Sequence, residues 1–101
     1  YPDVQDRAVN MLNSENHNLR DLGASILAKA KIDSDRFLRI RRKLGPMLKD
    51  NHAYARYRAA FALAEHGAGA YERETINVLK EASQDKDVGK IARRYLERLE
   101  G

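Results

Sequence analysis

Residues 50–67 read DNHAYARYRAAFALAEHG. A polar turn, Asp50-Asn51-His52, opens the stretch, and neither glycine nor proline interrupts it before Gly67. Ala55, Ala59, Ala62 and Leu63 recur at the spacing of one helical face. The spacing predicts a helix over about 53–66 that turns small side chains inward, with Gly67 as its C-terminal cap.

The same slots recur on either side. Leu27, Leu63 and Leu96 stand 36 and 33 residues apart, and at those offsets Gly23, Ala59 and Ala92 share a second slot. The small residue lets two helices approach, and the leucine one turn later fills the space. An amphipathic pattern repeats its spacing by chance more readily than it repeats small against small and Leu against Leu, so the match points to a repeat.

Five further helices are expected. One covers about 3–13 with Val4, Ala8, Met11 and Leu12 inward, and Pro2 suits its start. The next covers about 18–31 with Leu19, Leu22, Gly23, Ile26, Leu27 and Ala30. Asp33-Ser34-Asp35 offers capping oxygens to a third, whose stripe is Phe37, Ile40, Arg41, Leu44, Met47 and Leu48. Pro46 falls inside that stripe and predicts a kink or break. The last two cover about 71–82, burying Thr75, Ile76 and Leu79, and about 87–99, with Val88, Ile91, Ala92, Tyr95, Leu96 and Leu99.

Composition agrees with an all-α reading. The chain has 101 residues, 43% hydrophobic and 34% charged, with only two prolines and six glycines. That length suits one domain. No apolar run approaches the roughly 20 residues of a membrane span, so no membrane association is expected. With no cysteine, disulfides and thiolate zinc sites are excluded. The lack leans towards a reducing compartment such as the cytoplasm, although many exported bacterial proteins also lack cysteine. The chain begins at Tyr1 rather than a methionine and is expected to be processed or a piece of a longer protein.

Taken together, Asp50, Ala55-Arg56, Ala59-Ala60 and Ala62-Leu63 resemble the second helix of the HEAT-repeat family, HEAT-like bacterial variants included. Leu19-Arg20, Gly23-Ala24 and Leu27 repeat the pattern. Val88, Ala92 and Leu96 repeat it with Gly89 where the arginine would stand. Ser14 and Ser83 occupy the aspartate slot, and the family's early proline is absent, Pro46 sitting later. The resemblance implies one domain over 1–101 made of three antiparallel helix pairs, approximately 2–32, 33–67 and 68–101. They would be stacked as a short right-handed α-α superhelix, a HEAT-like solenoid. A globular bundle of three pairs without such stacking is the alternative. The resemblance also implies outer first helices, an inner concave face lined by second helices, and use as a binding scaffold.

The net charge of +4 is not spread evenly. Residues 33–67 carry eight bases and four acids, while the flanking segments balance. Within the middle third, Arg36, Arg39, Arg41, Arg42 and Lys43 form a run that reads either as a patch for phosphates, nucleic acid or an acidic protein, or as a solvated outer face. On the inner face the candidate binding residues are Arg20, Tyr54, Arg56, Tyr57, Lys90 and Arg94, a mixture of bases and aromatics suited to phosphates, bases or an acidic peptide. The resemblance gives Arg20 and Arg56 a competing role, pairing with turn acids such as Asp50 and Asp21. Arg58 stands in the slot of Leu22 and Ile91. It can snorkel, pair with Asp21 or Glu65, or mark local repacking around Phe61, the reading preferred at this point.

His17 and His52 fall in equivalent turns and are expected to be neighbours, and His66 ends the fourth helix. They lack the third ligand or fixed carboxylate that a metal or acid–base site needs. No nucleophile motif, phosphate loop or paired-carboxylate signature is present. The expected function is therefore non-catalytic: a scaffold for a protein partner, an acidic one by charge, without metal or cofactor. An accessory domain of a larger protein fits that reading, and nucleic-acid binding through a basic face is the alternative.

Overall fold

The computed structural model describes residues 2–101, so Tyr1, read above as a sign of processing, lies outside it. Among the described residues there are six α-helices, α1 (Pro2–Met11), α2 (His17–Lys29), α3 (Ser34–Leu44), α4 (Ala53–His66), α5 (Glu72–Ala82) and α6 (Gly89–Glu100), with short 3-10 segments at Gly45–Lys49 and Gly69–Tyr71. No strand occurs among the described residues.

Local chemistry sets the boundaries. Asn16 Oδ1 accepts the Asn18 N–H at the start of α2, and Asp33 Oδ1 accepts the Arg36 N–H at the start of α3. At the far end of α3 the chain meets Pro46, which has no N–H to continue the ladder. The α-helix stops at Leu44 and tightens into a 3-10 segment, Gly45–Lys49, which still buries Met47 and Leu48. α4 ends at Gly67, whose φ of 114° suits glycine alone, and Gly69 follows at 55°. Arg41 Nε donates to Gly67 O at 3.0 Å, and its guanidinium packs against Gly69, so this linker is held to α3.

α4 lies at the centre. It packs on α2 most extensively, then on α5, and it also touches α3, α6 and the segment Gly45–Lys49, whereas α1 packs chiefly on α2. That position explains its composition. Ala55, Tyr57, Ala59, Ala60, Phe61, Ala62 and Leu63 are all buried, more of the circumference than one stripe covers, and alanines let neighbours approach from several sides. Gly23, Ala59 and Ala92, the shared small slot, are each buried, as are Leu27 and Leu63, with Leu96 half-buried.

The expected inward set is corrected at several positions. Val4, Leu19, Leu22 and Ile91 are exposed, and Ile76 is only half-buried. Val4, Leu22 and Ile91 are each one residue, about 100° of helix, from a buried neighbour: Gln5, Gly23 and Ala92. The closest approaches decide which residue faces in. α1 comes so near α2 that a Cβ on Gly23 would lie 2.6 Å from Ala8 O, and Gln5 Nε2 donates to Lys31 O at 3.0 Å.

Candidate binding face

Three turns present carbonyls at the 36- and 33-residue offsets of the repeat: Ser14, Asp50 and Ser83. Each accepts from a guanidinium. Arg20 Nη1 donates to Ser14 O at 2.9 Å, Arg56 Nη1 to Asp50 O at 2.9 Å, and Arg93 Nη1 to Ser83 O at 2.7 Å. Arg93 takes the space left by Gly89, since a Cβ there would stand 2.8 Å from Ser83 O and 3.0 Å from Arg93 Nη1.

The first two arginines also reach forward. Arg20 Nε and Nη2 donate to the two oxygens of Asp50 at 2.8 and 3.0 Å. Arg56 engages Glu81 in the same manner, because the turn slot ahead of it is Ser83 rather than an acid. Glu81 also accepts from the Tyr57 hydroxyl at 3.1 Å. Burial alone would raise the Asp50 carboxyl, but hydrogen bonds from Arg20 and the His52 N–H, with the nearby positive charge, outweigh it and hold it below its ordinary value. The hydrogen bond from Arg56 likewise lowers Glu81.

The six candidate residues therefore separate. Arg20 and Arg56 are committed to the turn ladder, and Tyr57 is buried against Glu81. Tyr54 is exposed, and its hydroxyl donates to Asp85 at 3.1 Å and Asp87 at 3.3 Å. The bond to Asp85 pushes its pKa up to about 12. Asp85 in turn accepts the Asp87 and Val88 N–H groups, so Tyr54 is tied to the turn before α6. Lys90 and Arg94 stand exposed on α6 with no ion pair among the described residues.

A different group converges where α2, α4 and α6 meet. An open hollow of about 660 Å³ is lined by Ala28, Lys29, Lys31, Arg58, Phe61, Glu65, Ile91 and Tyr95, among others. Phe61 and Tyr95 stack beneath it, ring centroids 5.7 Å apart. Burial and the hydrogen bond to Glu65 push the Tyr95 hydroxyl up to about 12, and Arg98 lies over the same ring. Arg58 Nε donates to Asp21 Oδ1 at 3.1 Å, one of the two pairings considered for it, and it lines the hollow beside Phe61. The sequence reading missed Lys29 and Lys31. For Lys29 the signal was positional, since Lys29, Glu65 and Arg98 hold matching slots at the repeat offsets; Lys31 carried no such signal.

His17 and His52 stack at 3.7 Å as expected neighbours, and His66 Nε2 lies 2.8 Å from Leu27 O. No group of three or more His, Asp or Glu side chains that could hold a metal occurs among the described residues. In the basic run, Arg36 pairs with Asp6 at 2.6 Å and Arg41 with the Gly67 carbonyl, leaving Arg39, Arg42 and Lys43 exposed on α3 without an ion pair among the described residues. Among the described residues no helix is long and apolar enough to cross a membrane.

No family model matches this chain, nor does any curated protein or solved structure.

Proposed function

We propose that the chain is a short HEAT-like solenoid of three helix pairs, 2–32, 33–67 and 68–101, acting as a non-catalytic scaffold for an acidic protein partner. The recurrence of arginine-held carbonyls at Ser14, Asp50 and Ser83, with the extensive packing of α2 on α4, supports the stacked arrangement. One observation carries the functional reading. Arg20 and Arg56, two of the six candidate binding residues, are spent on carboxylates within the protein, while the displayed surface includes apolar Leu22 and Ile91, 47% and 40% exposed, together with exposed lysines that make no ion pair among the described residues. That mixture suits a polypeptide, which offers both apolar and acidic side chains.

Lys90 and Arg94, exposed and without ion pairs, favour the nucleic-acid reading as second. One assay separates the two. A photo-crosslinking residue at Leu22 is expected to capture protein from cell extract, while one at Leu38, exposed on α3, does not. Duplex and single-stranded nucleic acid are then titrated at several salt concentrations. Binding that falls steeply with salt and disappears in Lys90→Glu/Arg94→Glu would overturn the scaffold reading.

A further inference from the structure

Arg58 is the one arginine of α4 left half-used. All three nitrogens of Arg20 and of Arg56 donate, but Arg58 donates only through Nε, to Asp21, and both Nη groups are uncommitted. Its side chain is 30% exposed and lines the hollow. The slot it occupies holds Leu22 in α2 and Ile91 in α6. Fold stability does not call for a charge there: one hydrogen bond to a partly exposed carboxylate offsets little of the cost of desolvating a guanidinium.

The rest of the lining is one-sided in charge. Glu65, the only acid, already accepts from Tyr95 and faces Arg98 at 3.6 Å, whereas Lys29 and Lys31 make no ion pair among the described residues. Beside these cations lie apolar surfaces from Ala28, Ile91 and the Tyr95 ring, with Phe61 beneath.

We propose that this hollow receives an acidic segment of a partner protein. A bulky apolar side chain of the segment sits against Ile91, Tyr95 and Ala28, and the carboxylates flanking it meet Lys29, Lys31 and the two Nη groups of Arg58. This rests on the scaffold reading and specifies what that scaffold recognises. The guanidinium edge gives a carboxylate two parallel donors, a stronger and more directional contact than an ammonium offers.

The probe is a labelled, flexible peptide with a central Phe-Leu pair between glutamates and serines. One control replaces every Glu by Gln, and another replaces Phe and Leu by Ser. Binding is followed by fluorescence polarisation and by amide and methyl NMR shifts on the full chain. The acidic apolar peptide is expected to shift Ala28, Lys29 and Ile91, with both controls binding more weakly. Arg58→Leu restores the apolar row and is expected to keep the melting temperature while weakening binding about tenfold. Lys29→Glu/Lys31→Glu, on exposed positions, weakens it at least as much. Equal binding by the parent and Arg58→Leu overturns the proposal, as does equal binding of the Glu and Gln peptides. Shifts confined to Tyr54 and Lys90 overturn the hollow but leave the scaffold standing. No shift with any peptide, together with no capture at Leu22, ends both readings.

Discussion

Asp50 serves three neighbours at once. Its carboxylate accepts from Arg20 through both oxygens and from the His52 N–H, and its carbonyl accepts from Arg56. The Asp50 side chain is only 9% exposed. Asp50→Ala would leave the Arg20 guanidinium part-buried without its carboxylate, and an expected loss of about 2–3 kcal/mol follows, measurable by urea unfolding. The pH dependence has a definite sign. Asp50 and Glu81 are held below their ordinary values in the folded state, so their contribution is full above the unfolded carboxylate pKa of about 4 and is lost as pH falls through the folded values. The stability gap between the parent and Asp50→Asn should therefore be widest near neutrality and narrow below about pH 4. A gap unchanged by acid would show that the pair contributes nothing.

Gly23 makes a different residue-scale case. A Cβ there would meet Ala8 O at 2.6 Å and Met11 Cβ at 2.8 Å, both too near α1's backbone to move cheaply. Ala59 and Ala92 hold the same slot with a methyl group. Gly23→Ala is expected to cost about 1–3 kcal/mol by forcing α1 outward, despite the better helix propensity of alanine. A thermal melt at or above the parent's would contradict the packing.

At the scale of elements, α4 was legible: the helix expected over about 53–66 is found at Ala53–His66. Pro46 also announced the end of α3, because a missing N–H acts locally and needs no tertiary context. The exposed Leu22 and Ile91 were not legible. Period alone defines a stripe but not its centre, and the centre here is set by the close contact of Gly23 with α1, which involves residues distant in sequence. The clamp of Arg41 on Gly67 and Gly69 was equally hidden, its position on the apolar stripe suggesting only burial. Gly67→Ala places a side chain at φ 114° and is expected to cost about 1–2 kcal/mol, with a smaller effect of the same substitution at exposed Gly101. Comparing the two unfolding midpoints checks it.

Across the whole molecule the helices are unequally secured. α4 touches most of the others, while α1 is held chiefly by α2, with Gln5 and Asp6 adding a bond each to Lys31 and Arg36. Native-state hydrogen exchange should open α1 first and α4 last, and at low denaturant the α1 amides should show the smaller protection. Uniform protection across both would mean that the chain unfolds as one unit. The hollow was hardly readable at this scale. Tyr54, Lys90 and Arg94, put forward from the sequence, do not line it, and the sequence could not tell saturated arginines from open ones, since Arg20, Arg56 and Arg58 look alike until their donors are followed to their acceptors.

The turn ladder also has a direction. Arg20 reaches forward to Asp50 and Arg56 forward to Glu81, and Arg93 holds its own turn carbonyl in the same way with no acid ahead of it among the described residues. Arg20 and Arg56 each lean on the acid that follows, so a lost acid is felt by the helix before it: neutralising Asp50 frees the guanidinium of α2, and neutralising Glu81 frees that of α4.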